Sequence, residues 1–187
     1  MIAVVGHADL TLDTLTLVES EVRMRLERLA DNVTGLVRAG AGLPVVLGRA
    51  VRAAGRQLVV LLPAQGTVPA ALPQGDRRAA GELLILANQA RLLPFDPDDR
   101  DACVGADEQM ISTSSRLLAV WDGSASNGRD ATAHLVAYAR ARGVPVDVVW
   151  PEGATRAPAT PQHLRKVGHA PTGTPARRND IDVQHPA

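Results

Sequence analysis

Residues 116–134, RLLAVWDGSASNGRDATAH, decide the architecture. Leu117–Trp121 is an unbroken apolar run without polar alternation, which predicts a short strand buried on both faces. The stretch 122–130 is small, polar and glycine-bearing, and reads as a loop. Ala131–Arg142 reads as a helix stopped at Gly143. A strand that feeds a helix through such a loop is the front of a parallel βαβ unit. It brings the helix's unpaired first-turn amides to the strand's carboxyl end.

The same alternation runs outward in both directions. Upstream, Ile2–Val5 is a β-branched strand ending at Gly6–His7. A helix follows over about 12–30, capped by Asp9 or Thr11, with Leu15, Val18, Val22, Leu26 and Leu29 as its apolar stripe. Val33–Val37 is a second strand. A glycine turn at 38–42 leads to a helix with Pro44 in its first turn and Gly55 after its end. Gln57–Leu62 is a third strand closed by Pro63, and 64–74 reads as a loop. A helix over about 76–89 and a strand at Arg91–Phe95 come next. Asp96–Pro97 looks like the start of a helix reaching Ser112. Downstream of the opening stretch, Val144–Trp150 is a sixth strand, ended by Pro151.

These elements predict an α/β three-layer sandwich: a mostly parallel sheet of about six strands with helices on both faces. Beyond Pro151 the apolar residues become isolated among Pro, Thr, Ala, Gly and Arg. Such a segment buries too little surface to offset its ordering entropy. The expected division is a domain at 1–153 and a flexible, disordered tail at 154–187.

Composition narrows the function classes. The 187 residues are 45% apolar with zero formal net charge, which gives no global field for nucleic acid or an anionic membrane. Phe95, Trp121, Tyr138 and Trp150 are the only aromatics, so a base-stacking track for nucleic acid is not expected. Cys103 is the single cysteine, which excludes an intramolecular disulfide and a thiolate metal cluster. His163, His169 and His185 are too scattered for a metal site, and no metal is expected. No apolar run approaches the roughly 20 residues of a membrane span. No charged leader with a cleavage site stands at the front. A cytoplasmic protein with no membrane partner is the expectation.

Ligands of such sheets sit beyond the carboxyl ends of the strands. The loop 122–130 offers Asp122, Gly123, Ser124 and Gly128, with Thr132 at the helix start. It suits a phosphate or ribose, or it is a plain βα turn in which Asp130 or Asn127 caps the helix. Asp130 would compete with a bound phosphate. Gly40 and Gly42 form a lone GxG, lining a ligand or serving as a turn. Gly6 and His7 end the first strand, His7 as a ligand or a hydrogen-bonding residue. Trp121 either stacks on a base or caps the core. Arg100 and Glu108 share one helix face, pointing to the same cleft or to solvent. Cys103 reads as a small buried apolar residue, and no G-x-S-x-G surrounds Ser112–Ser115.

Taken together, Gly6–His7, the turn at 40–44, Leu58–Pro63, Leu92–Phe95, Arg100–Asp101–Ala102, Leu117–Gly123, Gly128–His134, Val136–Arg142 and Gly143–Pro151 resemble the Rossmann-like SLOG superfamily. That group includes the LOG-type nucleoside-monophosphate phosphoribohydrolases, the DNA-processing protein A fold and bacterial nucleotide-sensor domains. The chain resembles small actinobacterial members above all. The resemblance spans about 1–153 and implies a nucleotide or nucleotide-derived ligand, held by Gly40 and Gly42 with Gly123, Ser124, Gly128 and Thr132. It implies no other cofactor. It also implies a homodimer, although no residue locates an interface.

Departures from the family pattern bear on chemistry. Gly42–Leu43–Pro44 stands where related sensors carry Gly-Ala-Asp, and Asp130–Ala131–Thr132 where they carry Gly-Gly-Thr. The glutamate of the LOG-type enzymes falls on Leu135, which cannot act as an acid, a base or an oxocarbenium stabiliser. The expected function is therefore non-catalytic nucleotide binding or sensing. A LOG-like N-glycosidase and a degenerate interaction scaffold stand as alternatives.

Overall fold

The computed structural model describes residues 1–127 and 130–158. It is a Rossmann-like α/β sandwich: one seven-stranded sheet, parallel apart from one short strand, with five helices. In chain order the elements are β1 (Ile2–Gly6), α1 (Leu12–Glu27), β2 (Thr34–Arg38), α2 (Leu43–Ala53), β3 (Gln57–Gln65), β4 (Val68–Pro69), α3 (Gln74–Leu86), β5 (Gln89–Pro94), α4 (Arg100–Ser112), β6 (Arg116–Val120), α5 (Thr132–Ala141) and β7 (Val146–Val149).

The strands lie in the order β3-β2-β1-β6-β7, with β5 paired parallel to the far side of β3. The chain builds outward from β1 through β2 and β3 to β5. It then returns across the sheet to β6 and β7, so the strand order reverses between β1 and β6. Right-handed crossovers place helices from the two directions on opposite faces. Alternate strand side chains follow this division. Ile2, Val4, Val60 and Leu118 pack with Val18, Val22 and Leu26 of α1, Leu47 and Val51 of α2 and Leu83 of α3. Ala3, Val5, Leu61 and Ala119 pack with Met110 and Ile111 of α4 and Val136 and Ala139 of α5.

At Gly6 the backbone of β1 leaves no room for a side chain beside β6. A Cβ there would lie 2.6 Å from Val120 Cβ and 2.7 Å from the Val120 carbonyl oxygen. Only glycine lets the two central strands run side by side to their carboxyl ends.

Several boundaries differ from the sequence expectation, among them α3, which ends at Leu86 rather than about 89 and leaves Gln89 to begin β5, and four others. The loop expected at 64–74 contains a strand, because β3 runs through Pro63 to Gln65 and pairs antiparallel with β4 around Gly66. Pro63 is tolerated because its carbonyl, and hence its missing N–H, faces the β4 side, where Ala70 donates to it. The β2 ladder has already ended there at Leu61. The helix expected from Asp96–Pro97 begins instead at Arg100. Asp96 accepts from the Asp98 amide in a local turn, and Asp99 caps the helix through the Asp101 amide. Helix α1 ends at Glu27 rather than about residue 30.

The last difference follows β7. Residues 154–157, read from sequence as tail, return along the start of α1. Thr155 donates its amide to the Thr14 hydroxyl and accepts from it in turn, while Leu10 and Arg156 form an antiparallel bridge. The Ala157 amide donates to the Asp9 carbonyl at 2.6 Å.

Candidate functional site

The crevice where strand order reverses lies beyond Gly6 and Val120, and His7 fills its floor. The His7 amide continues the ladder to the Val120 carbonyl, and its side chain is 0% exposed. Nδ1 lies 2.6 Å from Asp130 Oδ2 and Nε2 lies 2.9 Å from Asp122 Oδ1. The imidazole thus joins both ends of the loop between β6 and α5. Trp150 packs against it edge-on at 5.8 Å.

Against burial, the two carboxylates raise the His7 pKa, while the Asp122 amide also donates to Nε2 at 3.2 Å. Burial alone would lower the His7 pKa, but the hydrogen bond and charge of Asp130, reinforced by Asp122, raise it; Arg156 opposes this in part. Burial likewise resists ionisation of the two carboxyls, and hydrogen bonds overcome it. Donation from Ser124 and His7 holds Asp122 at about 2. His7 and Thr132 hold Asp130 well below the usual carboxylate range. Arg156 covers this cluster from outside. It pairs with Asp9 through two 2.9 Å hydrogen bonds, donates to the Ser124 hydroxyl at 2.9 Å, and stands 3.6 Å from Asp122 and 3.5 Å from Asp130.

Beside the cluster, between the ends of β1 and β2 and the starts of α4 and α5, is a recess of about 140 Å³. Gly6, Arg38, Arg100, Cys103, Asp107 and Thr132 line it, together with Asp130 and Leu135. Arg38 is the last residue of β2. It forms a two-pronged pair with Asp107 of α4, Nε to Oδ1 at 2.7 Å and Nη2 to Oδ2 at 3.1 Å. Burial lifts the Asp107 pKa, with Arg38 pulling against it. Arg100, 46% exposed, donates to the Asn127 carbonyl across the mouth. Burial pushes the Cys103 thiol pKa up, with the Arg38 charge pulling against it.

The expected site residues separate into three groups. Gly6, Arg100 and Thr132 line the recess. His7, Asp122 and Ser124 belong to the adjoining cluster, and Gly123 (φ 87°) makes the turn that returns the Ser124 amide to Asp122 Oδ1. Much of the loop is already hydrogen-bonded to itself. The Thr132 amide and hydroxyl both donate to Asp130 Oδ1, and the His134 amide donates to the Ser126 hydroxyl. Asp130 thus occupies the place at the α5 start that a phosphate would take.

Gly40 and Gly42 lie outside the recess, in the turn before α2. Gly42 (φ 71°) occupies the N-cap position, and the neighbouring Ala41 amide donates to Asp76. Glu108 also lies outside, paired with His134 at 2.6 Å. Trp121 packs against the core, with its indole N–H donating to the Ser124 carbonyl. Gly128 lies outside the described residues.

Arg38, Asp107 and Arg156 were not singled out from sequence. A charged residue closing the buried strand β2 was a usable signal for Arg38. Asp107 sits one turn beyond Cys103 and next to the apolar stripe of α4, the helical spacing that faces a core. For Arg156 no local signal exists.

No family model matches the chain, and no curated protein matches it. Among solved structures, the chain is similar to the molybdenum cofactor carrier protein MCP from Chlamydomonas reinhardtii. Identity is 18% and the TM-score 0.50, covering 79% of this chain and 74% of that one. A second structure of the Moco carrier protein from the same organism gives 18% identity, a TM-score of 0.48 and the same coverage. The likeness is one of fold.

Proposed function

We propose that the chain binds, without turning over, a nucleotide or nucleotide-derived ligand whose anionic end enters the recess at the reversal of strand order. The observation that carries this reading is the pair of guanidiniums, Arg38 and Arg100, on either side of a cavity of about 140 Å³ beside the start of α5. Arg38 is oriented by Asp107 and is not free to swing away. Arg100 is exposed and able to turn inward. With Nε and Nη2 on Asp107, Arg38 offers only its remaining Nη donors to phosphate oxygens, whereas Arg100, once turned inward, offers the two-pronged geometry that suits them. The reading agrees with the SLOG resemblance, and with a structural neighbour whose name is that of a small-molecule carrier.

Binding without catalysis is favoured by Leu135. It lies on the recess wall at the LOG-type glutamate position and is 4% exposed. No other carboxylate of the recess is placed for glycosidic chemistry: Asp107 is engaged by Arg38, and Asp130 by His7 and Thr132.

Calorimetric titration with inorganic phosphate, ribose 5-phosphate and a nucleotide panel tests this. Arg100→Ala is expected to weaken phosphate-bearing ligands by about tenfold, the worth of a charged hydrogen bond, with the melting temperature unchanged. Affinity indifferent to that substitution removes the recess from consideration. Release of free base from a bound nucleotide would replace the binding reading with the hydrolase.

A further inference from the structure

Arg156 stands where it acts on the recess without entering it. It does not line the cavity, but Asp130 does, and Arg156 Nη2 lies 3.5 Å from Asp130 Oδ2. Its other partners are Asp9, through two hydrogen bonds, the Ser124 hydroxyl, and Asp122 at 3.6 Å. Three carboxylates thus gather over the carboxyl ends of β1 and β6. Among the described residues, Arg156 is the only arginine paired with any of them. An anion entering the recess meets the Asp130 carboxylate at its wall. Like charges repel there, and a cation seated behind the carboxylate reduces that repulsion. Arg156 is such a cation.

The segment that carries it is lightly held. Ala154, Thr155 and Ala157 bring no large apolar side chain, and Thr155 is exposed. Apart from Arg156, the attachment is polar. The Thr155 amide donates to the Thr14 hydroxyl at 2.7 Å, that hydroxyl donates to the Thr155 carbonyl at 2.8 Å, and the Ala157 amide donates to the Asp9 carbonyl. Hydrogen bonds at a surface with little apolar burial open at low free energy. Docked and undocked are therefore two states of one short strap, and Arg156 delivers its charge only in the first.

We propose that docking of residues 154–157 is coupled to anion binding in the recess, with Arg156 as a positioning residue that sets affinity through Asp130 and Asp122 rather than by touching the ligand. The inference rests on the anion-binding reading of the recess. Coupling of this kind is reciprocal: the factor by which the docked strap strengthens anion binding is the factor by which a bound anion strengthens docking.

The test titrates inorganic phosphate calorimetrically into the full chain and into its Arg156→Met and Arg156→Lys variants. Both replacements keep a long unbranched stem, and they differ in charge. Arg156→Met is expected to weaken phosphate by about fivefold, the effect of one unit charge a side chain away from a partly solvated anion. Arg156→Lys is expected to bind nearly as tightly as the wild type. Amide exchange reads the reciprocal effect. Saturating phosphate should slow exchange at Thr155 and Ala157 by a similar factor in the wild type, and leave it unchanged in Arg156→Met. Equal phosphate affinity in the wild type and Arg156→Met, or exchange at 154–157 indifferent to phosphate, overturns the coupling and leaves the recess standing. An equal loss in the Met and Lys variants overturns the charge role and makes Arg156 a prop of the loop. A wild type that does not bind phosphate overturns the anion site and this inference together.

Discussion

His7→Ala is the most informative perturbation of this molecule. The side chain removed is fully buried and makes two short hydrogen bonds, 2.6 Å to Asp130 and 2.9 Å to Asp122. A hydrogen bond to a charged group contributes about 1.5–3 kcal/mol. Both carboxylates keep other donors after the change, Thr132 on Asp130 and Ser124 on Asp122, with Arg156 nearby. The expected loss therefore lies near the lower sum, about 3–4 kcal/mol. In a domain of this size each kcal/mol moves the melting temperature by roughly 2–4 °C, so a fall of about 10 °C is expected.

The pH dependence supplies a signature that a simple cavity would not. The folded pKa of His7 is raised, so its contribution is fully present below the ordinary value of 6.5 and is lost as pH rises through the folded value. The two aspartates have the opposite sign. Their contribution is present above the ordinary carboxylate value of 3.8 and fades as pH falls, for Asp122 toward about 2. Thermal melts of the wild type and His7→Ala from pH 5 to pH 9 would show the wild type losing stability on the alkaline side and the variant nearly flat there. A loss below about 1 kcal/mol, or the same alkaline slope in both proteins, would refute the raised His7 pKa and the stabilising role of its two carboxylate partners.

Two further substitutions probe the surroundings. Gly6→Ala places a methyl against Val120, and a loss of about 1–3 kcal/mol in denaturant unfolding is expected; no change would mean that β1 and β6 separate more readily than their packing implies. Arg156→Ala removes a partly exposed clamp, with about 1 kcal/mol or a few degrees of melting temperature expected. Faster amide exchange at residues 154–157 should accompany it, and unchanged protection there would show that the Thr155 hydrogen bonds to Thr14 hold the segment alone.

Periodicity made most of the fold legible. The apolar runs of β1, β3 and β6 and the stripe of α1 are local patterns, and a parallel sheet with helices on both faces follows from their alternation. The same reasoning expects Gly6, Arg100 and Thr132 along the carboxyl edge, and all three line one recess there. It failed where a distant residue decides the outcome. Pro63 read as the end of β3, because nothing local says that its missing N–H points past the end of β2. Residues 154–157 read as tail, because their composition carries no apolar pattern; what holds them is hydrogen bonding to Thr14 and Asp9.

The sequence by itself determined the architecture, since burial imposes periods of 2 and 3.6 residues on any strand and helix that must cover a core. Only the tertiary structure decided which polar groups meet. His7, Asp122, Asp130 and Arg156 come from separate parts of the chain and converge because β1 and β6 are neighbours and the chain after β7 turns back over their ends. The contacts of a charged or hydrogen-bonding side chain depend on positions more than a hundred residues away, and no local pattern encodes that distance.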